Sequence, residues 1–305
     1  MRLNLAAAGV CILAGCSAPT SPSAPIAAGP LPVGSAPPIA VLGTENFYAD
    51  LLGQVGGARV SATSLLNDPN ADPHAFESST QAAVLVADAR LVIVNGLGYD
   101  GFMDKLLAAS PNPDRVVINV QQLLGAADGA NAHIWYDPAT MPAVAAQVAA
   151  ALAAIDPTNA FYFKARETLY GASLQPVAAK IAEMKTRFGG APVAFTEPVA
   201  GYLATAIGLQ VLTPEGFQKS IEDGTDPAPA DVAGESDLLT GKKVKVLIYN
   251  SQVTSPITSQ MHDLAVANGI PVVGVAETIP AAYSDYVSWQ LGQLNQLEQA
   301  LAAGG

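Results

Sequence analysis

Basic residues are scarce in this chain. Lys and Arg number 14 against 26 Asp and Glu, for a formal net charge of −12. Binding to nucleic acid needs a basic footprint, so no nucleic-acid partner is expected. Charged residues of both signs make up only 13% of the sequence. Cysteine is scarcer still: there are two, Cys11 and Cys16. Beyond Cys16 there is no thiol, hence no disulfide and no thiolate metal site. Histidine occurs three times, and no compact His-Glu-x-x-His cluster is present. The apolar run from Leu3 to Ile12 is too short to cross a bilayer as a helix.

The 305 residues are half hydrophobic, enough for two domains of ordinary size, each with its own core. Met1-Arg2 followed by the short apolar run reads as a secretory signal peptide over 1–15. The next residues, Leu13-Ala14-Gly15-Cys16, resemble the bacterial lipobox. That resemblance implies cleavage before Cys16, lipidation of its sulfur and attachment to the extracytoplasmic face of the cell membrane. One acyl chain anchors only marginally, and the lipobox implies at least two. From Ser17 to Pro38 the chain is rich in Pro, Ser, Ala and Gly. Such a tract cannot bury a core and reads, with Cys16, as a semi-extended tether over 16–38.

Beyond Pro38, short apolar runs alternate with helical patterns, which argues a parallel α/β sheet. Strands are expected near Ile39–Leu42, Val60–Leu65, Leu91–Val94 and Arg115–Asn119. Asp156-Pro157-Thr158 is a helix start signal, and the helical pattern then runs to Phe188, closed by Gly189-Gly190. That is roughly 45 Å of helix at about 1.5 Å per residue, kinked at Pro176. The alternation restarts with strands near Val193–Phe195, Gln210–Leu212, Val244–Tyr249 and Pro271–Val275. Ser220–Ala233 is polar and Pro/Asp-rich, a surface loop or partner surface. An amphipathic helix from Tyr283 to Leu301 ends the chain. The expected organisation is an N-terminal α/β lobe over 39–155, a linking helix over 156–188 and a C-terminal α/β lobe over 189–305. No internal repeat is visible in the residue identities.

Ligands of open α/β sheets sit beyond the carboxyl ends of the strands. Four metal-binding side chains fall there: His74 and His133 in the first half, Glu197 and Glu277 in the second. Two imidazoles and two carboxylates suit a divalent ion, Zn2+ or Mn2+. Spread over two lobes, they converge only if the lobes clasp the ion. Each also has a plain reading. A lone loop histidine is usually solvated or hydrogen-bonded, and Glu197 and Glu277 each sit where a helix N-terminus favours a carboxylate. Spacing alone leaves both readings open. Glu45, after the first strand, is either a spare ligand or a residue behind the ligands. His262 lies inside a helical pattern and reads as structural.

The segments around these residues resemble the metal-binding lipoproteins of zinc and manganese ABC importers. The matching stretches are Asp72–Glu77, Ala87–Gly98, His133–Pro138, Glu197-Pro198 with Gly201–Leu203, Val246–Asn250 and Val275–Pro280. They keep the family's order from about Ile39 to Leu301. The resemblance implies two (β/α) lobes joined by one rigid helix, a metal site at the lobe interface, an ABC permease as partner, a monomer, and no catalysis. It also implies His74, His133, Glu197 and Glu277 as ligands. Two departures stand out. The loop Gly125–Ala132 has no histidine where many zinc members carry a His-rich loop, and Glu197 stands where many zinc members carry His. Both pull toward manganese. The Irving–Williams order pulls back, since Zn2+ outcompetes Mn2+ at mixed N/O sites. Zinc is therefore the expected cargo, with manganese as the alternative. Outside this class stand a metal-dependent hydrolase, an adhesion lipoprotein and a haem or iron-chelate binder. No nucleophile, oxyanion motif or phosphate loop favours the first.

Overall fold

The computed structural model describes residues 37–68, 76 and 78–304. The expected signal peptide, Cys16, nearly all of the tether and His74 lie outside the described residues. The first lobe runs β1 (Ile39–Glu45), α1 (Asn46–Gly56), β2 (Val60–Leu66), α2 (Thr80–Asp88), β3 (Leu91–Val94), α3 (Phe102–Ala109), β4 (Val116–Asn119), α4 (Val120–Leu124) and α5 (Thr140–Ile155). Next come α6 (Ala160–Ser173) and α7 (Gln175–Phe188). The second lobe follows as β5 (Pro192–Phe195), α8 (Gly201–Ile207), β6 (Gln210–Val211), α9 (Glu215–Glu222), α10 (Pro229–Thr240), β7 (Val246–Asn250), α11 (Pro256–Ala267), β8 (Val272–Val275) and α12 (Tyr286–Ala303).

Each lobe holds one four-stranded sheet, ordered β2-β1-β3-β4 and β6-β5-β7-β8. All pairs are parallel. The two sheets thus share one topology, second-first-third-fourth, although no repeat shows in the residues. In each, the chain leaves the first strand to one side and returns to the third on the other. That reversal opens a crevice at the carboxyl ends of the two central strands. Helix α1 lies tight on β1: a Cβ added at Gly43 would stand 2.4 Å from the Ala49 backbone nitrogen, so only glycine fits.

The linking segment differs from one unbroken helix. It breaks at Leu174, between α6 and α7. Pro176 has no N–H to give the carbonyl of Ala172, and its ring crowds that carbonyl, so the break falls two residues ahead of the proline. Helix α6 packs on α5 and α1 of the first lobe, and α7 packs on α8 and α12 of the second. The polar stretch Ser220–Ala233 is mostly not a loop, contrary to expectation. It holds the end of α9 and the start of α10. Phe217 and Ile221, four residues apart on α9, are buried together, and Pro229 opens α10 rather than breaking it. Helix α12 begins at Tyr286 because Asp285 caps it, its carboxylate accepting the Ser288 N–H at 2.7 Å.

One apolar cluster runs through both lobes, from Val41 and Leu51 to Val193 and Trp289. At its centre Phe47 of α1 stacks on Trp135 with ring centres 4.7 Å apart, and Tyr136 meets Trp289 of α12 edge-on at 5.7 Å. A shared apolar core of this kind opposes wide hinge opening. Among the described residues no helix is long and apolar enough to cross a membrane.

Candidate metal centre

Strand ends and two loops deliver the site. Glu197 stands two residues past the end of β5 and Glu277 two past the end of β8. His133 opens a short turn, Ile134–Tyr136, in the connection between α4 and α5. All three are buried. The His133 Nε2 stands 3.5 Å from Glu277 Oε2, so a side chain of the first lobe meets one of the second. Asn250, at the end of β7, uses one amide nitrogen for both glutamates: it donates to Glu197 Oε2 and, at 2.7 Å, to Glu277 Oε1. The structure therefore brings together three of the four expected residues, and the fourth, His74, lies outside the described residues.

The imidazole is oriented from behind. Asn131 Oδ1 accepts from the His133 backbone N–H at 3.0 Å and lies 2.8 Å from Nδ1. That contact favours a proton on Nδ1, which leaves Nε2 as the nitrogen available to a metal. Nε2 has no hydrogen-bond partner among the described residues. Burial pushes the His133 imidazole down. The facing Glu277 carboxylate, 3.5 Å from Nε2, and the charges of Glu222 and Glu197 more than offset this, for a net rise. Glu197 is pushed up to about 7, first by burial and then by the charge of Glu277, with the Asn250 bond opposing.

The Asn-Gly-Leu-Gly stretch places another contact. Gly96, Leu97 and Gly98 all take positive φ, at 82°, 57° and 80°. Left-handed backbone is natural for glycine but strained for leucine. Leu97 is held there by its N–H, which donates to Gln121 Oε1 at 2.9 Å. The turn carries Tyr99 across the lobe boundary, where its hydroxyl donates to Glu277 Oε2 at 2.8 Å. Gln252 fixes the Glu277 loop, its Oε1 accepting from the backbone N–H groups of Glu277 and, at 3.0 Å, of Thr278. Asn46 pins the same loop from the first lobe, giving to Ile279 O at 3.1 Å and taking from Ile279 N at 2.9 Å.

A cavity of about 480 Å³ opens beside this cluster, walled by Leu97, Tyr99 and Asn131 from one lobe and Pro198, Gln218 and Glu222 from the other. Glu222 Oε2 stands 3.9 Å from His133 Nδ1. Among the described residues no three His, Cys, Asp or Glu side chains form a ready coordination shell; the Asn250 amide lies between the two glutamates. Sequence reasoning placed His133, Glu197 and Glu277 but missed Tyr99, Asn131, Glu222 and Gln252. Tyr99 adjoins the recognisable glycine stretch, whereas Glu222 and Gln252 carry no local signal. His262 is partly exposed beside Asp263 at 3.2 Å, apart from the cluster, as expected.

The model of the zinc-uptake complex component A family, periplasmic ZnuA, matches residues 41–300. The chain belongs to this family of zinc and manganese solute-binding proteins. The manganese-binding lipoprotein MntA of Bacillus subtilis is 26% identical over 260 residues, 80% of each chain. A Treponema pallidum protein whose name refers to metal binding is 24% identical over 205 residues, 60% of this chain and 61% of its own length, so that match spans under two thirds of the relative. The solved structure of the periplasmic zinc-binding protein TroA of Treponema pallidum superposes with a TM-score of 0.74 at 17% identity, covering 88% of this chain and all of that one. FpvC of Pseudomonas aeruginosa in complex with Mn2+ gives 0.72 at 18% identity with the same coverage of this chain. At such identities these structures establish the two-lobed fold.

Proposed function

We propose that the chain captures a divalent transition metal outside the cytoplasm, with zinc as the cargo, and delivers it to the permease of an ABC importer. The observation that carries this reading is the buried meeting of His133 with Glu277 and Glu197 across the lobe boundary. Carboxylates and an oriented imidazole buried together have little to gain in a folded protein unless a cation neutralises them. The ligand set is His74, His133, Glu197 and Glu277. Asn250 holds the two glutamates by hydrogen bonds that an arriving ion replaces. Tyr99 and Asn131 orient Glu277 and His133. Binding requires an ionised Glu197 and a neutral His133, so capture releases protons.

The site is a container rather than a catalyst, in keeping with a family of solute-binding proteins. The shared apolar core between the lobes restricts release to movement of loops or of a subdomain. Cys16 carries the lipid anchor, 16–38 the tether, 39–155 and 189–305 the lobes, and 156–188 the link between them. The working form is a monomer. Manganese is the second reading, favoured by the carboxylate at Glu197 and by the relative named for manganese binding. Single alanine variants at His74 and His133 test the assignment: both should abolish tight binding of Zn2+, and unchanged affinity in both would remove these residues from the site.

A further inference from the structure

The shared topology aligns more than strands. In the first sheet β1 and β3 pair Gly43 with Ile93, and continuing that register by two residues brings Glu45 level with Asn95. In the second sheet β5 and β7 pair Phe195 with Ile248, so the same step sets Glu197 opposite Asn250. A buried threonine precedes each glutamate and ties the first strand to the third. The Thr44 hydroxyl donates to Ile93 O at 2.9 Å, and the Thr196 hydroxyl accepts from the Asn250 backbone N–H at 3.0 Å. Thr-Glu level with Asn thus occurs twice, once per lobe, and Glu45 is the positional counterpart of Glu197.

The two copies differ in what the asparagine does. Asn250 gives its amide to Glu197. Asn95 gives its amide to Ala132 O at 2.9 Å and Gly96 O at 3.2 Å, and its Oδ1 accepts from Tyr48. The neighbouring carboxylate of Asp100 is already committed to the backbone N–H groups of Asn95 at 2.7 Å and Gly96 at 2.9 Å. Glu45 is left fully buried, with neither oxygen accepting a hydrogen bond from another described residue. A buried carboxyl without donors is costly to ionise, and burial raises its proton affinity; a bound cation is the partner that would hold it ionised. Glu45 lies near the lobe boundary: the next residue, Asn46, is clamped to Ile279, two residues past Glu277, and the charge of Glu45 acts on Tyr99, the partner of Glu277.

We propose that Glu45 is an additional carboxylate donor to the captured cation, the first lobe's counterpart of Glu197, and that it sets metal selectivity. This rests on the metal-capture reading and deepens it. Another oxygen ligand raises the coordination number. Mn2+ favours oxygen-rich shells, whereas Zn2+ is satisfied by a tetrahedral set. Glu45 therefore narrows the advantage of Zn2+ over Mn2+ without reversing it.

The test uses the purified full chain, stripped of metal by chelator, as wild type and as the near-isosteric Glu45→Gln. Each is titrated with Zn2+ and Mn2+, and the visible absorption of bound Co2+ is recorded as a readout of coordination number. Glu45→Gln is expected to weaken Mn2+ by about tenfold or more and Zn2+ by no more than about threefold. The Co2+ bands should intensify toward those of a four-coordinate ion. Glu45→Asp, which keeps the charge, should recover part of the Mn2+ affinity. If wild type binds these metals and Glu45→Gln leaves Mn2+ affinity and the Co2+ spectrum unchanged, or weakens both metals equally with that spectrum unchanged, the role of Glu45 is overturned and metal capture stands. If wild type binds none of the three metals, the capture reading is overturned and this inference with it.

Discussion

The Tyr99 hydroxyl of the first lobe donates to the Glu277 carboxylate of the second at 2.8 Å, inside the buried cluster. This bond aims a carboxylate and ties the lobes together. Tyr99→Phe removes the donor and little volume. Metal affinity is expected to fall by about 10- to 100-fold, as when partners that orient metal ligands are lost. Calorimetric titration measures this, with circular dichroism verifying that the fold persists. Unchanged affinity would leave the bond without a role in capture.

Asn250 shares one amide between Glu197 and Glu277. In the metal-free protein Asn250→Ala strips both buried carboxylates of that donor, at a cost of about 1–3 kcal/mol. In the proposed loaded state the ion itself would satisfy them. The gain in melting temperature on adding Zn2+ should therefore be larger in Asn250→Ala than in wild type. An equal or smaller gain would show that the amide does not substitute for the ion.

Glu197 is held near 7, above the usual carboxylate value of 4.5, first by burial. Its folded-state value is raised, so between these limits the folded metal-free protein binds a proton that the unfolded chain does not. The stability this confers is present below the unfolded value and fades as pH rises through the folded one. Glu235, held at about 8 by burial, acts in the same direction. The metal-free protein is thus expected to melt lower at about pH 8 than at about pH 5.5, while the rise in melting temperature on adding Zn2+ grows across that interval. Thermal melts with and without metal at both values decide this. A metal-induced rise that shrinks toward pH 8 would contradict it.

Trp289 is buried among Phe47, Tyr136 and Tyr286. Trp289→Ala should cost about 3–5 kcal/mol of stability, as large-to-small changes in a core do, measured by chemical denaturation. A cost under about 1 kcal/mol would mean that the lobes do not share a core there.

The sequence carried the architecture because strands such as Leu91–Val94 and Val193–Phe195 are short, wholly apolar and bounded by turn residues. It singled out Glu197 and Glu277 because each stands in a recognisable motif beyond a strand, and His133 because it stands in a recognisable loop motif. Other features depend on pairing across distance. The α9–α10 segment was hidden because its polar composition outweighed the single buried pair Phe217 and Ile221. Tyr99 reaches Glu277 across 178 positions of chain, and no local pattern announces that. The kinship of Glu45 and Glu197 needs strand register, which periodicity does not supply; around them the residues are Gly-Thr-Glu-Asn and Phe-Thr-Glu-Pro, too short a likeness to register as a repeat.

The measurement closest to the central claim is calorimetric titration of the chelator-stripped chain with Zn2+ and Mn2+, followed by competition between them. One tightly bound Zn2+ per chain is expected, which excess Mn2+ fails to displace, with binding lost in His133→Ala and retained in His262→Ala. Absence of binding to either metal would contradict it and leave the two-lobed fold without metal capture.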